Sequence, residues 1–379
     1  MMSNHSKLDL TVLSKELKLL IQLVKSKNEL KDIGQLQNID WRLFLDLVHH
    51  HRCQPIIYLK LKDMPQTIVP LEIIQALQQT YTKNTFKMLQ LSGEMEQISK
   101  LFAENEIKTL FLKGPALAHH LYGDISLRTS KDLDVLVREK DLDKVDTLLL
   151  ASGYVKDGAA PILNERKWRS HHVEYVHPQK KIQIEIHWRL HNPPVKEPSF
   201  DELWQRKRRS ALTSSPVFFL GEEDLLLHLV VHGARHGWFR LRWLVDMDKV
   251  FQKKLDYQQV KVLMKKLGYA HLVGQAMILS SQLLDTPVNK ELKTTTEGSR
   301  QRKLAEKAYF YIHISKEFTY DPSYLISLKS NMQKVFYAMM LFYPRSWDAR
   351  TLPLPKSLHF LYFPLRPFLW MGRKVKKLS

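Results

Sequence analysis

Residues 130–146 read SKDLDVLVREKDLDKVD, and the tetrapeptide Lys-Asp-Leu-Asp stands in this stretch twice, nine residues apart. The two copies belong to different periodicities. In the first, Leu133, Val135 and Val137 alternate with Asp132, Asp134 and Leu136, a period of two that predicts a strand. Residues two apart on a strand share a face, so Asp132 and Asp134 project side by side and can share a cation. In the second copy, Leu142, Val145, Leu148 and Leu149 recur at three- and four-residue steps, which predicts a helix over roughly 139–152 closed by Gly153. Residues two apart on a helix diverge by about 200°. Asp141 and Asp143 therefore belong to a solvated helix start, where acidic side chains are favourable.

Two neighbouring stretches bear on the first copy. TLFLKG (109–114) predicts a short strand, and PALAHHLYG (115–123) a helix with Pro115 in its first turn and Gly123 at its end. Such a junction offers free N–H groups and the helix dipole to an anion, and Gly114 permits a phosphate to approach closely. An ordinary tight turn explains the same residues. HHVEYVHPQKKIQIEIHW (171–188) predicts a hairpin turning at His177–Lys180. Ile182, Ile184 and Ile186 supply one face of its second strand, and Gln183, Glu185 and His187 the other. Glu185 can thus stand as a third carboxylate beside Asp132 and Asp134. Mg²⁺ takes few protein carboxylates together with waters and substrate phosphates.

LKGPALAHHLYGDISLRTSKDLDVLV, the helix and Ser-Gly-Tyr after it, and the strand IEIHW together resemble the minimal nucleotidyltransferase superfamily. More closely they resemble its bacterial group of uncharacterised nucleotidyltransferases. HGARHGWFRLRWLVDM (232–247) is similar to that group's helical-lobe signature. The matching parts are the turn Lys113-Gly114, Asp132 and Asp134 of the Asp-x-Asp strand, and Glu185. One departure is Pro115, where the superfamily turn carries Ser or Gly and so offers an N–H. The resemblance implies transfer of an NMP group from an NTP to an acceptor hydroxyl or phosphate, with pyrophosphate leaving. It implies Mg²⁺, or Mn²⁺ in its place, on Asp132, Asp134 and Glu185. Lys113, Gly114, Arg128 and Lys131 are the candidate phosphate contacts. His187 shares the face of Glu185 and can orient a substrate, while His232 and His236, one turn apart, can serve as base or phosphate contacts. Sugar phosphate, peptide, protein and tRNA are all acceptors compatible with the charge. Two other readings stay open: glycosyl transfer from a nucleotide sugar at the same metal site, and a non-catalytic binder of nucleotides or polyanions.

The remainder of the chain frames this core. Residues 1–105 show helical periodicity, with Asn38 or Asp40 as a cap and one long helix running from Pro70. From about 201 the pattern is helical again, with 293–303 as its most loop-like stretch. The expected organisation is an N-terminal helical region (1–105), a nucleotidyltransferase-like core (106–200), a C-terminal helical domain (201–355) and a basic aromatic tail (356–379). The fold class is α+β, mainly helical, with a small mixed sheet. Fifty-eight basic against 39 acidic residues, a net charge of +19, favour polyanionic partners. The single cysteine, Cys53, excludes an intrachain disulfide framework and suits a reducing cytoplasm. No apolar run reaches membrane-spanning length. LHFLYFPLRPFLWMG (358–372) with RKVKK after it can lie on an anionic membrane surface, or simply dock on the helical lobe.

Overall fold

A computed structural model describes residues 7–26, 38–157, 162–163, 165–314 and 321–375. The chain forms two compact units, residues 1–133 with 201–328, and residues 134–200 with 329–379. Contacts therefore group the N-terminal helices with those of 201–328, where the sequence reading divides the chain by consecutive stretches.

The first unit is mainly helical. Asp40 is the cap of helix Trp41–His51, its carboxylate accepting from the N–H groups of Arg42 and Leu43 at 3.0 Å each. The long helix spans Leu71–Glu104, with Leu77, Met88, Leu91, Met95 and Phe102 fully buried on one stripe. Strand β1 (Leu110–Phe111) leads through Gly114 into helix Pro115–Tyr122. Helices Glu222–Arg235, Leu241–Phe251, Tyr257–Leu267 and Ala270–Leu284 follow later in the chain. Trp238, fully buried, lies on Gly233, where any Cβ would overlap its ring.

Two expectations for this unit are corrected. Residues beyond 200 are not wholly helical: Arg208–Arg209 and Phe218–Phe219 are strands, the latter parallel to β1 with Phe111 opposite Phe219. Two-residue strands are too short to leave a period in the sequence. The 293–303 stretch is not a loop either, since Lys290–Thr296 is a 3-10 turn and Ser299–Ile314 a helix. Buried Leu292 anchors the turn, and the hydroxyls of Thr295 and Thr296 donate to the carbonyls of Leu292 and Lys293 at 2.6 and 2.7 Å. Burial and local hydrogen bonds override the low helix propensity of Thr and Gly.

The second unit is built on strands. Numbered along the chain, β2 is Leu133–Leu136, β3 Val155–Lys156, β4 His172–His177 and β5 Ile182–His187; β6 and β7 are the two short strands of the first unit. β3 pairs antiparallel with β4, and β4 with β5. β2 flanks β5 on its other edge, where the Val137 N–H donates to the His187 carbonyl at 2.9 Å. Ile182, Ile184 and Ile186 are buried to within 1% and fix which face of β5 turns inward. Seven strands in mixed directions among many helices make the α+β, mainly helical class.

The tail expected at 356–379 is more regular than its prolines suggest. Lys356–Leu361 is a 3-10 turn and Tyr362–Val375 a helix with Pro367 inside it. Asp348, fully buried, ties this helix to the preceding segments: Arg366 and Arg373 both donate to it, and it accepts from the Arg345 N–H at 2.8 Å. These ties compensate for the hydrogen bond that Pro367 removes. Residues 376–379 lie outside the described residues. Among the described residues, no helix is long and apolar enough to cross a membrane.

Candidate active site

Within the second unit, β2 and the β4–β5 hairpin converge three ligating side chains. Asp134, Glu185 and His187 each offer an oxygen or nitrogen within 4.8 Å of the others. Asp134 and His187 are each 5% exposed. The Nε2 of His187 lies 3.4 Å from Asp134 Oδ1 and 3.3 Å from Glu185 Oε2, within ion-pair range of both yet aligned as a hydrogen bond to neither. Its Nδ1 is buried without a hydrogen-bond partner among the described residues. Burial alone would push the imidazole pKa down, but Asp134 and Glu185 outweigh it and hold the value above the ordinary histidine range. Burial pushes Glu185 up, and the imidazoles of His187 and His172 outweigh that against the opposing charge of Asp134, leaving it lowered.

This donor set fits a divalent cation. Two carboxylates and one imidazole, all within reach of one another, offer oxygen and nitrogen donors to one ion, and the buried Nδ1 of His187 has no hydrogen-bond partner among the described residues. Carboxylate oxygens suit Mg²⁺ and Mn²⁺, and an imidazole nitrogen suits Mn²⁺ better than Mg²⁺.

The other candidate residues lie in the first unit. Asp132 is half-buried, with its backbone carbonyl accepting from Ser130 Oγ at 3.1 Å. Its charge acts on Arg52 and Lys87: burial pulls both cations' pKa values down, and Asp132 partly offsets this. Gly114 has φ 77° and ψ −148°, a conformation essentially reserved for glycine, and a Cβ there would stand 3.8 Å from the Asp132 carbonyl. Lys113 is half-buried and near enough to His232 and His236 to disfavour their charged forms. Lys131 is exposed.

Three of these residues take a different part from the one expected. Arg128 is 2% exposed, and its guanidinium forks onto Asp246, Nε donating at 3.0 and 3.2 Å and Nη2 at 3.0 Å. Tyr122 adds a hydrogen bond to the same carboxylate at 2.7 Å. A carboxylate thus occupies the fork assigned to phosphate. The His232 and His236 rings pack at a tilt with centroids 4.7 Å apart, and Trp243 lies against both. Burial drives the pKa of His236 down to about 3 and that of His232 well below its usual value. Neutral imidazoles can donate a hydrogen bond but bring no charge to a phosphate.

Sequence reading missed His171, His172 and Glu174. The signal was present: His172 and Glu174 alternate on β4 as Glu185 and His187 do on β5, and antiparallel register sets His172 opposite His187 and Glu174 opposite Glu185. Arg52 and Lys87 left no signal, because only folding brings them to Asp132.

No curated protein matches the chain. The crystal structure of an antigenic nucleotidyltransferase-like protein from Paracoccidioides brasiliensis is similar at 14% identity, over 53% of this chain and 94% of that one, with a TM-score of 0.32, a likeness too slight to carry an argument. A family model described as uncharacterised nucleotidyltransferase matches residues 37–285, a span that holds the Gly114 turn, the Asp-x-Asp strand, the hairpin and the 232–247 stretch. The chain belongs to this family of uncharacterised nucleotidyltransferases.

Proposed function

We propose that the protein transfers an NMP group from an NTP to an acceptor hydroxyl or phosphate, releasing pyrophosphate. The observation that carries this reading is the convergence of Asp134, Glu185 and His187 within 4.8 Å in a chain of this family. Asp134 and Glu185 would hold a divalent ion, Mg²⁺ or Mn²⁺, and Asp132 is proposed to join them from its place two residues earlier in the motif. When bound, that ion supplies charge neutralisation for the triphosphate and lowers the pKa of an acceptor hydroxyl. The acceptor oxygen forms a bond to the α-phosphorus, the bond from that phosphorus to the β-phosphate's bridging oxygen breaks, and the acceptor proton passes to a carboxylate or to water. His187, held by both carboxylates, keeps Asp134 and Glu185 aimed at one point. Lys113, in the turn that the family motif sets before the Asp-x-Asp strand, is proposed to supply positive charge for phosphate oxygens, positioning being most of what such a transfer asks of a protein.

The test is a panel of NTPs with Mg²⁺ or Mn²⁺ and cell extract as acceptor source, read by pyrophosphate release and by label transfer. Both are expected from the wild-type chain and neither from Asp134→Asn. Metal-dependent NTP binding without pyrophosphate release would overturn the enzymatic reading in favour of a binder.

We also infer that the 329–379 segment rests on an anionic membrane surface. It holds ten lysines and arginines against one acid, Asp348. Along helix Asn331–Phe342, Met332, Val335, Phe336, Met339 and Phe342 form a stripe 41–67% exposed. Phe368, Trp370 and Met371 on helix Tyr362–Val375 are at least half exposed. An apolar stripe flanked by cations suits an interface of acyl chains and anionic headgroups. Flotation with anionic vesicles should recover the full chain, with recovery lost on Phe336→Glu combined with Phe342→Glu. Equal recovery with neutral vesicles, or none with anionic ones, would remove the proposal.

A further inference from the structure

The β4–β5 hairpin carries more ligating side chains than nucleotidyl transfer uses. Antiparallel register puts His172 beside His187 and Glu174 beside Glu185 on one sheet face. His171, one residue before β4 and 6% exposed, completes a group of three imidazoles. His171, His172 and His187 each present a ring nitrogen within 4.8 Å of the other two. His172 Nδ1 is 3.2 Å from both ring nitrogens of His171. Ring centroids stand 4.3 Å apart for His171 and His172, 5.3 Å for His171 and His187, and 5.0 Å for His172 and His187.

Aromatic packing alone would explain rings at these distances. It does not explain His187, which is 5% exposed and whose Nδ1 is buried without a hydrogen-bond partner among the described residues while its Nε2 meets the Asp134 and Glu185 carboxylates. Leaving such a group unmatched costs free energy that a ligand can return. Nitrogen donors at this spacing have a definite chemistry. Zn²⁺ binds imidazole at about 2.0–2.1 Å in a tetrahedron, whose ligand-to-ligand edges are then about 3.3–3.4 Å. The observed 3.2 Å between ring nitrogens of His171 and His172 lies close to that edge. Mg²⁺ prefers an oxygen octahedron and would not select three imidazoles.

We propose that His171, His172 and His187 form a nitrogen-rich site for a borderline transition-metal ion of the Zn²⁺ type. It is separate in chemistry from the carboxylate pair Asp134 and Glu185, although it shares His187 with that pair. Glu174, in a further group with His172 and Glu185, stands in reach as a fourth ligand. The inference does not depend on the transfer reading, because binding is measured without nucleotide.

The experiment strips the full-length chain with a chelator and titrates it with Zn²⁺, and with Co²⁺ as a spectroscopic reporter. One equivalent of Zn²⁺ should bind, and Co²⁺ should give the intense visible bands of tetrahedral nitrogen coordination. His171→Ala and His172→Ala should each weaken Zn²⁺ binding roughly tenfold or more, and Asp134→Asn should weaken it less than either, since its carboxylate lies 3.4 Å from His187 but is outside the imidazole group. Circular dichroism checks that each variant is folded. Were His171→Ala to keep full affinity while Asp134→Asn abolished it, the ion would sit on the carboxylate pair and the proposal would fall. A wild-type chain that binds no Zn²⁺, or gives only the weak bands of octahedral Co²⁺, overturns it without recourse to any variant.

Discussion

Two buried aspartates carry opposite lessons. Asp246 is 1% exposed and fully answered: Arg128 forks onto it and Tyr122 donates to it. Asp134 is 5% exposed, and the group that brings it together with a second carboxylate, Glu185, holds one imidazole, His187. A carboxylate met by a guanidinium is architecture, since its charge is balanced within the fold. Two carboxylates converging beside an imidazole make a donor set that a cation can complete.

The sharpest way to break this contrast is to neutralise each acid's surroundings in turn. Asp134→Asn keeps shape and removes charge. Pyrophosphate release should fall roughly 10³-fold, while the melting temperature holds or rises slightly because a like-charge contact with Glu185 is gone. Arg128→Met should do the reverse to the fold: it leaves Asp246 buried and uncompensated, a cost of about 3–5 kcal/mol, read as a loss of denaturant midpoint. If Asp134→Asn destabilised the chain as much as Arg128→Met, the carboxylate pair would be structural and the contrast would vanish.

How much of this was legible beforehand follows from period and range. The two Lys-Asp-Leu-Asp copies separated cleanly, because periods of two and of three to four cannot be confused over six residues. Glu185 was placed on the correct face by three isoleucines. The same reasoning, carried across the turn to β4, would have reached His172 and Glu174. Arg128 was misjudged because its partner lies 118 residues away and no local pattern announces a buried ion pair. Tertiary burial likewise decides that His232 and His236 are neutral. Pro364 and Pro367 misled in the other direction, since Asp348 and two arginines hold a helix that its own sequence does not favour.

A smaller effect tests the first unit's buried imidazoles against pH. Burial lowers the pKa of His271 to about 4, its Nε2 lying 2.9 Å from the Leu328 carbonyl. In the unfolded chain the value returns to about 6.5. The folded state therefore binds fewer protons below that pH, so its stability is intact above pH 6.5 and declines as pH falls towards 4. The decline from this residue is about 3 kcal/mol, because each pH unit between the folded and unfolded values is worth about 1.36 kcal/mol. His271→Gln should flatten the pH dependence of the denaturant midpoint by a comparable amount. An unchanged profile would mean that His271 gains or loses no proton preference on folding.

The mildest change separates two glycines that look alike. Gly114 and Gly123 bracket helix Pro115–Tyr122 with φ of 77° and 76°. Their ψ values differ: −15° places Gly123 in the left-handed helical region, which other residues visit at modest cost, while −148° places Gly114 where almost nothing but glycine goes. Neither is crowded, since a Cβ at Gly123 meets nothing within 4 Å and one at Gly114 meets Leu133 Cδ2 at an ordinary 3.4 Å. The difference in cost is therefore conformational: Gly123→Ala should lose about 1 kcal/mol and Gly114→Ala about 1–3 kcal/mol. To escape the strain, the alanine of the Gly114→Ala variant would have to rotate the peptide joining it to Lys113, and Lys113 would move with it. Pyrophosphate release should accordingly fall further for Gly114→Ala than for Gly123→Ala at matched fraction folded, and equal losses would mean that the turn shapes the helix without positioning Lys113.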